Sequence, residues 1–312
     1  MVKSYKNKGL FMIFLICLIC LICLICFTYL ICLICVYMYP TEESMSIITS
    51  NNSTFSIPII ENNKDGYLNG IDIIYYINLD RSTSRKNEMD NLLQNTVFHD
   101  ISTIRFSAYD GKKEDMSKYF VIDNSGDKDN SSIANTEYAC SLSHLETIRT
   151  FTESPFNIAL ILEDDITLDY KNFWKKPLWE IIHGAPNNWE IIQLCYILDG
   201  NFPVKEYTLH GLNNSSNYYS TAAYIINKSS ANKINKIYNN NKYYINNTYG
   251  HEADKLIFNL FTSYTYKYPY FTYKSNNFST IHPEHNEMHE NSKNKITSFM
   301  DSLSHQGDVD NT

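Results

Sequence analysis

The sequence predicts an α/β domain, a mainly parallel sheet with helices on both faces, preceded by a single transmembrane helix. Three observations carry that expectation. Between about residues 71 and 261, apolar runs of strand length alternate with segments of helical spacing, the rhythm of successive strand-helix units. The run Ile158-Ala159-Leu160-Ile161-Leu162 has no polar face, as a strand covered on both sides requires. Ahead of both, residues 10–39 carry no charge and contain six copies of Leu-Ile-Cys between Leu15 and Cys35.

That opening segment divides the chain into a cytosolic N-terminus (1–9), an anchor (10–39), a polar stem (40–69), a folded domain (70–285) and a polar tail (286–312). At about 1.5 Å per residue the anchor is longer than the roughly 30 Å hydrocarbon core, so it must tilt or extend into the interface. A cleaved signal peptide has a shorter apolar stretch and ends in small residues. Lys3, Lys6 and Lys8 precede the segment and Glu42 and Glu43 follow it. The positive-inside rule then predicts a single-pass type II protein whose domain faces the lumen of the endoplasmic reticulum or Golgi. Six of the eight cysteines fall inside the anchor, where a charged zinc site would be costly, so they read as apolar filler. Cys140 and Cys195 remain, and two cysteines allow one disulfide without requiring it. A formal charge of −8 gives no basic stripe to neutralise phosphates, which excludes nucleic acid as partner.

Within the domain, residues 71–78 (Ile-Asp-Ile-Ile-Tyr-Tyr-Ile-Asn) form a β-rich run, and residues 84–95 place Met89, Leu92 and Leu93 on one side of a helix. A second strand is expected at 102–108. After a polar loop around 125–135, Thr136 is positioned to cap a helix reaching about Phe151. The strand leading to Glu163 follows, then strands at 189–194 and 221–226 and a helix at 230–238. A further helix over 250–261 buries Leu256, Ile257, Leu260 and Phe261. From about residue 287 the chain reads as a loose tail, with one or two helical turns at 296–303.

The candidate chemistry lies at strand ends. Glu163-Asp164-Asp165 closes the most apolar strand, and carboxylate oxygens are the hard ligands that Mg²⁺ or Mn²⁺ prefers, commonly together with the phosphates of a substrate. An acidic turn on a solvated edge is the competing explanation. Asn78, Asp80 and Arg81 close the first strand and Arg85 follows one helical turn later. There they are placed to hold a nucleotide, with the arginines suited to phosphate, or to serve as a plain polar turn. Asp110 and Gly111 form an Asp-Gly turn that needs no function to explain it. Cys140 and His144 stand four apart on one helix, a nucleophile pair in principle, although a packed cysteine and a locally bonded histidine explain them better.

Taken in order, Ile77-Asn78-Leu79-Asp80-Arg81 with Arg85, Asp110-Gly111-Lys112, Glu137-x-x-Cys140-x-Leu142-Ser143-His144-Leu145, Leu160-Ile161-Leu162-Glu163-Asp164-Asp165, Trp189-Glu190-Ile191-Ile192, Ala222-Ala223-Tyr224-Ile225-Ile226 and Glu252-Ala253-Asp254-Lys255 resemble glycosyltransferase family 25 over about residues 71–282. That family includes lipooligosaccharide and procollagen galactosyltransferases. The resemblance implies a GT-A-like fold and transfer of a hexose, usually galactose, from a UDP-sugar to a glycan or glycoprotein hydroxyl with inversion. It also implies Mn²⁺ or Mg²⁺ as cofactor. Glu163, Asp164 and Asp165 match the acidic metal and donor motif, and Asn78, Asp80, Arg81, Arg85, Asp110 and Gly111 fall on the donor side. Asp254 matches an acid near the acceptor and is the expected base, with Glu252 as runner-up; both also suit the first turn of a helix. His282 is a candidate late metal ligand or phosphate contact. Ala139 and the Gln193-Leu194-Cys195 stretch depart from the family pattern. The rival from another class is a transferase-like domain that binds a sugar or glycoprotein without turnover, against which the intact Asp80, Arg81, Glu163 and Asp165 weigh.

Overall fold

A computed structural model describes residues 66–123, 134–211, 217–246, 249–274 and 285–307, all within one compact unit, Ile57–Thr312. The first half runs β1 (Ile73–Asn78), α1 (Thr83–Leu92), β2 (Ser102–Ser107), β3 (Phe120–Asp123), α2 (Asn135–Glu153), β4 (Ile158–Glu163), β5 (Ile166–Thr167) and α3 (Leu178–Gly184). Then come β6 (Ile191–Gln193), β7 (Ile197–Leu198), β8 (Tyr207–Leu209), β9 (Tyr218–Tyr219), β10 (Ala223–Asn227), α4 (Lys228–Ala231) and α5 (Ile234–Ile237). The chain ends with β11 (Tyr238–Asn239), β12 (Lys242–Asn246), α6 (Ala253–Leu260), β13 (Ser263–Tyr266), β14 (Thr272–Tyr273) and α7 (Asn286–Gly307).

Seven strands form the central sheet in the order β2-β1-β4-β10-β6-β13-β8. β2, β1 and β4 pair in parallel, as do β6 and β13, while β10 and β8 run the other way. The sheet is therefore mixed, with five of its seven strands pointing one way. Alternation along each strand builds a core on either face. Ile74, Tyr76, Leu160, Leu162 and Ile225 pack with Met89 of α1 and Leu178 and Ile181 of α3. Ile73, Tyr75, Ile161, Tyr224 and Ile226 pack on the opposite face with Leu142 and Leu145 of α2 and Leu256 and Ile257 of α6. Helices cover both faces, as expected.

Several expectations need correction. The expected membrane-spanning helix, and the single-pass luminal placement built on it, are not found: no helix among the described residues is long and apolar enough to cross a membrane. Residues 10–39, on which that expectation rested, lie outside the described residues, as does most of the stem. The helix expected over 230–238 breaks into α4 and α5, because Asn227 caps one turn through its bond from the Ser230 amide and Tyr238 already belongs to β11. Thr136 is not the cap of α2: the helix starts one residue earlier, and Glu137 reaches back to accept from the Ala134 amide at 2.8 Å. The largest miss is the tail, which is the 22-residue α7. Ile296 and Met300 are buried, and burying two such side chains is worth about 1.5–3 kcal/mol each. Buried Ser292 also accepts from the Leu198 amide at 2.7 Å, and Thr297 meets Tyr170 at 3.1 Å.

Candidate active site

The register of the parallel strands decides where the polar strand ends meet. Asn78 stands opposite Ser107, and Ile77 opposite Glu163, so the segments after β1, β2 and β4 emerge at one edge. β1 lies between β2 and β4, the topological reversal at which α/β sheets leave a crevice. β10 runs antiparallel to β4 and so begins where β4 ends, with the Glu163 amide bonded to Ala222 O at 2.8 Å. A cavity of about 580 Å³ opens there, within the usual range for a ligand site. It is lined by eight carboxylates against four lysine and arginine side chains.

The three acids at the end of β4 have different partners. Glu163, the last strand residue, accepts from Thr221 Oγ1 at 2.9 Å and lies 3.3 Å from His144 Nε2. Burial pushes its carboxyl up, but the bonds from His144 and Thr221 outweigh burial and the net shift is down. His144, 1% exposed, stands 3.1 Å from the Tyr224 hydroxyl through its other ring nitrogen. Asp164 accepts from Asn78 Nδ2 at 2.6 Å and pairs with Arg85 Nε at 3.0 Å. Asp165 pairs with Arg85 Nη2. The turn after Glu163 thus sends Asp164 and Asp165 to one guanidinium. Burial raises both, Asp165 to about 6 despite the pull of Arg85.

Of the expected donor residues, Arg81, Arg85, Asp110 and Gly111 line the cavity. Arg81 Nε bonds Asp110 at 2.8 Å. A Cβ on Gly111 would come within 2.5 Å of Asn135 O, so only glycine lets this turn lie against the start of α2, where Asn135 Nδ2 donates to Gly111 O at 2.6 Å. Asn78 and Asp80 do not line the cavity. Asn78 is buried and holds Asp164 in place, itself receiving Arg105 Nε at 3.0 Å; Asp80 turns outward to Arg105 Nη2 at 2.6 Å. His282 lies outside the described residues.

Asp254 and Glu252 line the same cavity but differ electrostatically. Asp254 accepts from the Ser220 amide at 3.1 Å and the Lys255 amide at 2.8 Å, and burial leaves its carboxyl raised. Burial also pushes Glu252 up, but its ion pair with Lys255 outweighs that and the net shift is down. Cys140 is half-buried on the cavity wall, desolvation and the nearby acids push its thiol up, and both nitrogens of His144 are taken by Tyr224 and Glu163, so the structure gives no support to a Cys140–His144 nucleophile pair. Both Cys140 and Cys195 are free thiols.

Sequence reasoning missed Thr221, Ser220, Lys274 and the start of α7, where His285 just ahead of the helix and Met288 and His289 in its first turn complete the wall. The backbone of Lys274 bonds Asp165 O at 3.0 Å, a contact no local pattern announces. The helix was legible: Met288, Ser292, Ile296, Met300 and Leu303 recur at three- and four-residue spacing.

An α/β sheet with an acid-lined cavity at the carboxyl ends of its parallel strands defines the class, an α/β enzyme with its site at the sheet's switch point. The sequence supplies the family: the profile of glycosyltransferase family 25 (LPS biosynthesis protein) matches residues 71–257. The chain belongs to that family. No curated protein matches it by sequence. Among solved structures, a glycosyltransferase involved in the glycosylation of the major capsid of PBCV-1 is similar at 12% identity, over 53% of this chain and 64% of that one, with a TM-score of 0.30. The chain thus spans under two thirds of that structure, and a likeness at this level carries no argument.

Proposed function

We propose that the protein transfers a hexose, galactose before others, from a UDP-sugar to a hydroxyl of a glycan or glycoprotein acceptor with inversion, using Mn²⁺ or Mg²⁺. The observation that supports this best is the pairing, within one cavity, of an Arg85-bridged acid pair and a separately held carboxylate of raised pKa, Asp254.

The residues present fit a divalent cation. The cavity wall carries eight carboxylates and four cations, and Arg81, Arg85, Lys255 and Lys274 are already paired with Asp110, Asp164 and Asp165, Glu252 and Glu88. A diphosphate entering that field needs further positive charge. Among the described residues no group of three or more His, Cys, Asp or Glu is arranged to hold a metal ion; a cation here would be held by one or two carboxylates, Asp165 foremost, together with the donor phosphates. Such an ion, when bound, neutralises charge on the leaving diphosphate.

The protein's own groups do the rest. Arg85 fixes Asp164 and Asp165, and Asn78 fixes Asp164 from below. Asp254 takes the proton of the acceptor hydroxyl as its oxygen bonds to the anomeric carbon and the bond to the diphosphate oxygen breaks. A single displacement of this kind inverts that carbon. Glu252, committed to Lys255, is the poorer base.

The test is a panel of UDP-sugars incubated with the full chain, with and without Mn²⁺, read by UDP release and by thermal stability. One UDP-sugar should be hydrolysed slowly and raise the midpoint only with Mn²⁺, and Asp165→Asn should remove both effects. Folded protein that neither binds nor hydrolyses any UDP-sugar would sink the proposal.

A further inference from the structure

Gln193 is a polar residue in the middle of the sheet, 0% exposed, between Tyr224 of β10 and Thr265 of β13. Its side chain uses its full bonding capacity. Nε2 donates to two consecutive carbonyls, Tyr219 O at 3.0 Å and Ser220 O at 2.7 Å. Oε1 accepts from Thr265 Oγ1 at 2.7 Å, with His210 Nε2 at 3.2 Å. Carbonyls only accept, so the amide orientation is settled by the network.

The segment it grips is strained. Ser220 has φ of +90°, a region that serine rarely enters and that persists only where the surroundings impose it. The other non-glycine residues with positive φ among the described residues, Asp100, Asn240 and Asn241, are types that tolerate it. In this conformation the Ser220 amide points at Asp254 Oδ2, 3.1 Å away, and Thr221 Oγ1 donates to Glu163 at 2.9 Å. One strained turn therefore reaches acids on both α6 and β4.

We propose that Gln193 is a positioning residue for transfer: by clamping Tyr219 O and Ser220 O it holds the Ser220–Thr221 turn in the one geometry that aims Asp254 across the cavity from Glu163. This rests on Asp254 being the base, and the experiment separates the two ideas. The groups facing Asp254 are Glu252 and Lys255 on its own turn, Cys140 from α2 and His210 behind Gln193. Burial raises Asp254, and also Asp164 and Asp165 across the cavity, so the limb that reports Asp254 is the one that Asp254→Asn removes. An amide bond to a carboxylate lowers its pKa, so losing the aim of Ser220 moves that limb to higher pH.

The experiment measures UDP-galactose hydrolysis by the full chain at saturating Mn²⁺ across pH, for wild type, Asp254→Asn, Gln193→Met and Ser220→Gly. Gln193→Met keeps length and volume but loses every bond. It should cut kcat by about 10–100-fold with the donor KM within about threefold, and displace the acid limb upward. Ser220→Gly leaves the bonds of Gln193 in place but frees φ and removes the Ser220 hydroxyl that accepts from the Ala222 amide at 3.1 Å. It should fold as stably as wild type, with kcat lowered by about threefold and the limb displaced the same way. Folded Gln193→Met with wild-type kcat, or with kcat, KM and melting point falling together and the limb unmoved, would overturn the proposal. If that variant does not fold, wild-type kcat and an unmoved limb in Ser220→Gly overturn it. Wild-type turnover by Asp254→Asn, or none by wild type, overturns instead the reading on which it rests.

Discussion

The two acid-bearing walls of the cavity are held by different physics. At the end of β4, Asp164 and Asp165 are matched by charge: Arg85, some 80 residues earlier in the chain, lies between them, and Asn78 and Arg105 brace the pair. On α6, Asp254 is held by the amides of Ser220 and Lys255. A carboxylate pair bridged by a guanidinium is electrostatically stiff and costly to unbalance. A carboxylate held by amides keeps a pKa that geometry can tune. The first arrangement suits holding charge in place, the second moving a proton.

Substituting each wall in turn would break this contrast. Asp254→Asn should lower turnover by on the order of 10²–10⁴ while leaving Mn²⁺-dependent stabilisation by UDP intact; equal loss of both would erase the distinction. Arg85→Met should cost about 3–5 kcal/mol of folding stability, because it leaves two partly buried carboxylates uncompensated. Mn²⁺ should restore part of that loss in urea denaturation, and a variant as stable as wild type would show that Arg85 is not the balancing charge. Gly111→Ala should cost about 1–3 kcal/mol by driving a methyl into the start of α2. It should raise the donor KM without moving the Asp254 pH limb.

The smallest effect concerns the support behind Asp254. Burial holds His210 near 4 in the fold, below its unfolded value of about 6.5. Its neutral form is the one the fold keeps, so its contribution to stability is full above pH 6.5 and is lost as the pH falls toward 4. Denaturation midpoints should therefore report a loss on the order of 2 kcal/mol between pH 6.5 and 5 from this residue. His210→Gln should flatten that slope while the Arg85 wall is untouched; an unchanged slope would remove His210 from the account.

Much of the site was legible because it sits at strand ends. Glu163-Asp164-Asp165 closes a strand too apolar to end in acids without cause, and Arg81, Arg85, Asp110 and Asp254 all reach the cavity that the sequence pattern pointed to. Asn78 was read as a ligand contact but supports Asp164, since a residue's role within a polar cluster depends on which neighbour claims its amide. The membrane helix, drawn from composition alone, finds no counterpart among the described residues. The tail was misread because its many polar residues outweighed the four-residue recurrence of Ile296 and Met300, which pack against Tyr170, Tyr196 and Leu198.

By itself the sequence determined five strands of the central sheet, β1, β2, β4, β6 and β10, with their polar exits and the chemical types gathered there, because apolar runs and their terminating residues are local properties; the short β8 and β13 went unread. The tertiary structure alone decided that β10 and β8 run against the rest, that one arginine serves two aspartates, and that a glutamine in the core bends a serine toward Asp254. Those outcomes depend on register and on distances between residues far apart in the chain, and register is fixed only when both faces of the sheet are packed at once.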